Sequence, residues 1–289
     1  MKDLARRLLP AALQSRLRRA YYRYPLLRRM YYFPQDLAAL LSGRGDLEPP
    51  RSLMTVGDGN FIQIGREYLG YFTGLGGLRP HERVLEIGCG VGRMAIPLTG
   101  YLDSTGSYDG LDIARAEVEW CRRHITPRFA NFNFRHIDVR NDQTNPKGKF
   151  LAGSYQFPLA SGQYDFVFLT SVFTHMLIAD IENYLKEISR LLKKEGRLLA
   201  SFFLLNEEAR SLLLATESRF RHPCGSGLVI DPQMPEASIA HEEAAIRSLL
   251  RKSGLRIQEP VHYGSWSGRR EFLSSQDIIV AERDAPRPG

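Results

Sequence analysis

Cysteine is scarce in this chain and poorly spaced for a framework. Cys89, Cys121 and Cys224 make an odd count with no CxxC pair, which argues against a disulfide scaffold and against a zinc site. Long apolar runs are missing as well. The longest, residues 198–205, is broken by Ser201 and is too short to span a bilayer. Arginines interrupt every apolar run near the N-terminus, so no signal peptide is legible, and a reduced, cytoplasmic protein is expected. An excess of charge is lacking once the chain is divided. The net charge is +7, but residues 1–30 hold nine Lys/Arg and one Asp, and the other 259 residues hold 30 basic and 31 acidic residues. A neutral body implies no basic groove, which makes a nucleic-acid partner unexpected.

What is present suits a packed globule: 43% hydrophobic and 25% charged residues in 289 are ordinary for a domain with a real core. From residue 83 onward apolar runs alternate with helical periodicity. Strands are expected at 83–87, 107–112, 132–138, 164–169, 197–204, 255–262 and 276–282. Helices are expected at 92–102, 114–124, 180–193 and 240–253. That alternation predicts an α/β fold with a parallel, doubly wound sheet. Asn60 is placed to cap a helix through Phe61, Ile64, Tyr68 and Phe72. Two units are expected: residues 1–59, a basic helical arm and linker, and residues 60–289, the main domain, with an insertion at about 205–240. In the arm, Leu13, Leu17, Ala20 and Tyr24 recur at helical spacing.

GCGVGR, residues 88–93, follows the apolar run Arg83-Val84-Leu85-Glu86-Ile87. The glycines Gly88, Gly90 and Gly92 are spaced G-x-G-x-G, so the third comes one residue too early for a dinucleotide fingerprint. No Gly-Lys-Ser/Thr follows, so this is not a P-loop either. Glu86, just before the turn, would repel a pyrophosphate and favour a cationic ligand. S-adenosylmethionine (SAM) meets that requirement, with a sulfonium, an amino group and a carboxylate but no phosphate. The glycines let the backbone pass close to it, and helix N-terminal amides can take its carboxylate. Asp112 ends the second expected strand and Asp138 the third. The first can accept both ribose hydroxyls and the second the adenine amino group. Either Asp can also cap a helix.

These segments resemble the class I SAM-dependent methyltransferases. VLEIGCGVGR is similar to their first motif, LDIA to their second-strand acid and HIDV to their adenine contact. QYDFVFLTSVFTHM and KEISRLLKKEGRLLASFF resemble the fourth strand, the helix and the fifth strand beyond. The resemblance covers about residues 60–283. It implies a seven-stranded, Rossmann-like, mostly parallel sheet with the last strand antiparallel. It implies SAM as cofactor, S-adenosylhomocysteine as product, and a cofactor set of Glu86, Gly88, Cys89, Gly90, Gly92, Arg93, Asp112, Ile113, Asp138, Val139, Leu169 and Thr170. SVFTHM followed by EISRLLK resembles a bacterial subgroup, some of whose members sit beside glycan or lipopolysaccharide synthesis. Leu169-Thr170-Ser171-Val172 stands where methyltransferases of flipped bases carry an NPPY-type tetrapeptide, which tells against that substrate class.

His175, five residues beyond the fourth strand, is the candidate general base, because an imidazole titrates in the useful range. It can equally cap the next helix. Ser171, His222, Tyr263, Trp266 and Arg269 are candidate acceptor contacts, with Trp266 suited to stacking on a ring or to closing the sheet edge. Gly57-Asp58-Gly59 with Tyr68 and Tyr71 are expected to form part of a lid, and His241 to start a helix. No metal ligands are paired in the sequence. The expected function is methyl transfer to a small-molecule or glycan/lipid-linked acceptor, at oxygen. A soluble metabolite N- or O-methyltransferase and a non-catalytic SAM binder stay open. Residues 1–33 mix Arg with Leu, Tyr and Phe, a composition suited to an anionic membrane's inner face, or to a contact with the chain's own domain or a partner. The oligomeric state is open.

Overall fold

The computed structural model describes residues 20–21, 24–43, 45, 47–54, 60–216 and 218–284. The expected arm helix before residue 20 and the Gly57-Asp58-Gly59 part of the expected lid lie outside them. Helix α1 spans Pro25–Leu41 and α2 spans Phe61–Gly74. Asn60 caps α2 as its position suggests, its side chain accepting the Gln63 N–H at 3.0 Å.

The main sheet alternates with helices: β1 Arg83–Ile87, α3 Ala95–Thr99, β2 Ser107–Asp112, α4 Arg115–His124, β3 Phe132–His136, β4 Tyr164–Leu169, α5 Ile178–Leu191 and β5 Leu192–Phe202. It is completed by α7 Glu243–Lys252, β10 Leu255–His262 and β11 Asp277–Arg283. Strand order is β10-β11-β5-β4-β1-β2-β3. All strands are parallel except β11, which runs antiparallel between β5 and β10. This is the expected seven-stranded sheet with its last strand reversed.

Successive side chains of a strand face opposite sides, and here both sides are covered. Along β4, Val167 and Leu169 join a core with Leu185 and Ile188 of α5 and Ile246 and Leu250 of α7. Phe166 and Phe168 join the other core with Phe72 of α2, Leu98 of α3 and Val118 of α4. A strand buried on both faces reads as a continuous apolar run, which is why FVFL was legible.

Three expectations change. The helix foreseen over 92–102 is confined to Ala95–Thr99, because the glycine turn before it occupies residues 88–92 with positive φ at Gly88, Gly90 and Gly92. The strand foreseen to 138 ends at His136, and Ile137 N–H then donates to the Asp112 carbonyl at 2.9 Å. His241 does not start a helix. It lies in a strand, β9 (Ile239–Glu242), and its N–H donates to the Phe203 carbonyl at 2.8 Å. β9 belongs to a second, four-stranded sheet built by the 205–240 insertion, with β6 Leu204–Leu205, β7 His222–Cys224 and β8 Gly227–Val229 in the order β6-β9-β8-β7. Helix α6, Glu207–Ala215, is also part of the insertion and is capped by Asn206 through the Ala209 N–H at 2.9 Å.

Candidate active site

In an open α/β sheet, ligands sit beyond the carboxyl ends of the strands, where the winding reverses. Here that point lies between β1 and β4. The chain winds from β1 to β2 and β3 on one side, then returns to β4 and β5 on the other. A cavity of ≈ 190 Å³ opens there, floored by the ends of β1, β2 and β4 and bordered by Met54 and Phe61 from the segment that leads into α2.

The glycine turn builds its floor. Gly88 and Cys89 N–H both donate to the Leu111 carbonyl, at 2.7 and 3.0 Å, which ties the turn to β2. Gly88 has φ 89°, and a Cβ there would collide with a Val172 methyl group. The absent side chain therefore lets the loop after β4 approach the turn. Asp112 reaches back across the turn: its carboxylate accepts the Gly90 N–H at 2.6 Å and the Ala114 N–H at 2.7 Å. Burial pushes its pKa up, while those N–H groups favour the charged form. Glu86 is 1% exposed and accepts a hydrogen bond from the Tyr108 hydroxyl. Burial pushes Glu86 up to about 8, against the lowering effect of that bond.

The opposite end is formed by the 170–176 loop, α5 and the insertion. Ser171 has φ 59°; its N–H donates to Ser201 Oγ at 2.8 Å and its hydroxyl meets the Gln276 side chain. His175 Nδ1 lies 2.9 Å from the Glu236 carbonyl. A carbonyl only accepts, so Nδ1 carries a hydrogen. The Glu236 carboxylate also borders the cavity, accepts the Asp142 N–H at 2.5 Å and is pushed up to about 7 by burial. Asp180, on the same border, is raised by burial too. His241 fixes the loop from behind. Its buried Nε2 donates to the Phe173 carbonyl at 3.2 Å, and burial pushes the ring down to about 4, so it stays neutral.

Of the residues singled out in the sequence, Glu86, Gly88, Cys89, Gly90, Arg93, Asp112, Ile113, Val139, Thr170, Ser171 and His175 line this cavity. Gly92 and Leu169 do not, lying beneath it in the core and turn. Asp138 is also outside the lining. Its carboxylate accepts a hydrogen bond from Asn145 at 3.1 Å, while its apolar neighbours Ile137 and Val139 face the cavity. The structure does not bring His222, Tyr263, Trp266 or Arg269 to the cavity. His222 pairs with Val229 in the hairpin. Trp266 packs on Phe203 and Phe220 and donates to Asp277 at 2.7 Å. Tyr263 bonds the Glu243 carboxylate, and Arg269 stacks on Tyr263 and bonds Glu208 and Asn206. Sequence reading passed over Glu117, Asp180, Tyr184 and Glu236, which the cavity includes. Among the described residues no group of three or more His, Cys, Asp or Glu could hold a metal ion.

The donor set and the cradle fit SAM. Two buried carboxylates at adjacent strand ends suit its ammonium and ribose, and Gly88 and Gly90 line the cavity with backbone that carries no side chain.

Comparison with known proteins agrees with this geometry. A family model described as a methyltransferase domain matches residues 18–259. Aklanonic acid methyltransferase of Streptomyces sp. (strain C5) is 36% identical over 88 residues, which is 30% of this chain and 37% of that protein. The match thus spans little more than a third of the relative's length. Among solved structures, a protein of Pyrococcus horikoshii OT3 superposes with a TM-score of 0.55 at 15% identity, covering 81% of this chain and 95% of that one. Magnesium protoporphyrin IX methyltransferase of Synechocystis PCC 6803 with bound SAH superposes at 0.51 and 19% identity, covering 81% and 92%. At such identities the structures speak for the fold, and the family match, over most of the chain, speaks for descent. The chain belongs to the methyltransferase domain family, and its sheet is the class I SAM-dependent methyltransferase fold.

Proposed function

We propose that the protein transfers a methyl group from SAM to a hydroxyl oxygen of a small molecule. The observation that carries this reading is one cavity lined by two buried carboxylates, Glu86 and Asp112, together with an imidazole, His175, held by the Glu236 carbonyl. SAM supplies an electrophilic methyl group when bound. Glu86 holds the ammonium and Asp112 the ribose hydroxyls, and the Gly88–Gly90 turn passes close beside the ligand. Ile113, Ile137 and Val139 form the apolar wall for adenine in place of an Asp138 contact.

His175 supports oxygen as the acceptor atom. A neutral hydroxyl must lose its proton as the methyl carbon bonds to it, and the His175 imidazole would take that proton. An amine or carboxylate depends less on such a group. Ser171 orients the acceptor. Tyr263, Trp266 and Arg269 hold the insertion against the sheet, and His222 belongs to the insertion's own hairpin. In this reading residues 60–289 form the catalytic unit and residues 1–59 an arm and linker on the cytoplasmic side of a membrane. The aklanonic acid enzyme's name supports a small-molecule acceptor. The exposed apolar helix α1 favours a second form of the reading, a lipid-linked or glycan acceptor.

The test is methyl-labelled SAM with fractionated extract of the source cells. Label in small molecules supports the reading, label in lipid-linked glycan supports its second form, and label in RNA or protein overturns both. SAM binding without label in any pool would favour a non-catalytic binder. Replacing His175 by Gln should lower turnover by roughly 10²–10⁴-fold while SAM affinity is kept. Unchanged turnover would remove His175 as the base.

A further inference from the structure

Helix α1 is built the opposite way to a surface helix of a globular protein. Such a helix turns its apolar stripe to the core. In α1, Arg28, Tyr32, Asp36 and Ala39 recur at helical spacing and face the body: Arg28 is 7% exposed, and the other three are half-buried. Asp36 fastens the helix, its carboxylate accepting the Arg51 N–H at 2.5 Å and the Ser52 N–H at 3.3 Å. The opposite face carries Leu26, Met30, Phe33 and Leu37 at i, i+4, i+7 and i+11, with Leu40 and Leu41 continuing it. These side chains are 68%, 67%, 61%, 42%, 64% and 79% exposed. A contiguous apolar face of this kind marks an interaction surface.

Charge decides between occupants. Residues 1–30, which run into α1, hold nine Lys/Arg against one Asp. Pairing α1 with α1 of a second copy would bring two such cationic segments together, which like-charge repulsion opposes. An anionic bilayer is complementary in both respects: its head groups meet the cations and its acyl boundary takes the leucines, Met30 and Phe33. The helix has 17 residues with Arg28, Arg29 and Asp36 inside it, and no described helix is long and apolar enough to cross a membrane. It is suited to lying in the interface, not to spanning it.

We propose that the outward face of α1 docks the protein on an anionic lipid surface. The proposal does not depend on the methyl-transfer reading. The docked helix also has a short route to the cavity, because Asp36 holds the 51–52 backbone and Met54 borders the site.

The test is sedimentation of the full chain with vesicles of phosphatidylcholine alone and of phosphatidylcholine with phosphatidylglycerol. Light scattering is run on the free protein. Binding is expected with the anionic vesicles only, and it should fade at roughly half-molar salt. Met30→Asp and Leu37→Asp, both at exposed positions, should each weaken it by about tenfold with an unchanged melting temperature. The proposal is overturned if the variants bind as well as the parent. Equal binding to both vesicle types also overturns it. So does a parent dimer that the same substitutions split, without vesicle binding.

Discussion

Glu86 carries a cost in the free protein that a bound ammonium would remove. Its carboxyl is enclosed, and its pKa moves from an ordinary 4.5 to about 8 because burial disfavours the charge. Between those two values the folded chain keeps a proton that the unfolded chain has lost. Stability therefore falls as pH rises through that window and is level below it. Glu86→Gln keeps an acceptor for the Tyr108 hydroxyl but has nothing to ionise. Its free form should be more stable than the parent at pH 8, by about 1–3 kcal/mol, and equal to it at pH 4. Its SAM affinity should drop, because the carboxylate that meets the ammonium is gone. Denaturant melts at the two pH values, with calorimetry for SAM, check this, and a parent whose stability does not fall between them would refute the assignment. The place of Glu86 and Asp112 at the cavity could be read from the sequence because strand, turn and acid are contiguous there. Asp138 lies outside the cavity lining, and Asn145, in a loop of no fixed pattern, donates to its carboxylate. Glu236 and Asp180 were illegible because their place in the cavity depends on how the insertion and α5 fold back over β4.

At the scale of elements, α2 packs closely on the segment that follows the glycine turn at Gly65. A Cβ on Gly65 would lie 2.5 Å from the Arg93 carbonyl and press on Pro97, so the close approach of α2 to the segment that follows the turn needs a residue without a side chain. Gly70, in the same helix, has nothing within 4 Å of its would-be Cβ. Two alanine substitutions separate packing from propensity. Gly65→Ala should destabilise by about 1–3 kcal/mol through overpacking and weaken SAM binding, since Arg93 lines the cavity. Gly70→Ala should stabilise by about 0.5–1 kcal/mol and leave SAM binding alone. Equal effects at both sites in denaturant titrations would show that α2 is not held by that contact. Sequence periodicity found α2, α5 and every strand of the main sheet, because each is long enough or apolar enough to repeat its period. It missed β6, β7, β8 and β9, of two to four residues each, which are too short to show any. Their pairing is set by contacts such as His241 N–H to the Phe203 carbonyl, distant in sequence and invisible in it.

At the scale of the whole molecule, the two halves of the charge distribution have separate physical tasks. Among the described residues both large cores are assembled from residue 47 onward, and residues 31–289 are nearly neutral while the first thirty are strongly cationic. The fold should then be indifferent to the cations at the start of the chain. Removing residues 1–19 takes away Lys2 and five arginines with a single Asp and leaves α1 intact. The shortened chain should melt at the parent's temperature. Saturating SAM, at about a hundred times its Kd, should stabilise both chains equally, by about 2.7 kcal/mol. For a chain of this size that is a rise of roughly 4–8 °C, scaling from about 2–4 °C per kcal/mol in slightly smaller proteins. Binding to anionic vesicles should fall sharply over the same deletion, because each cation near such a surface contributes about 1 kcal/mol. A lower melting temperature or a lost SAM shift would show that these residues take part in the fold or the site, and the separation of charge from architecture would then be wrong.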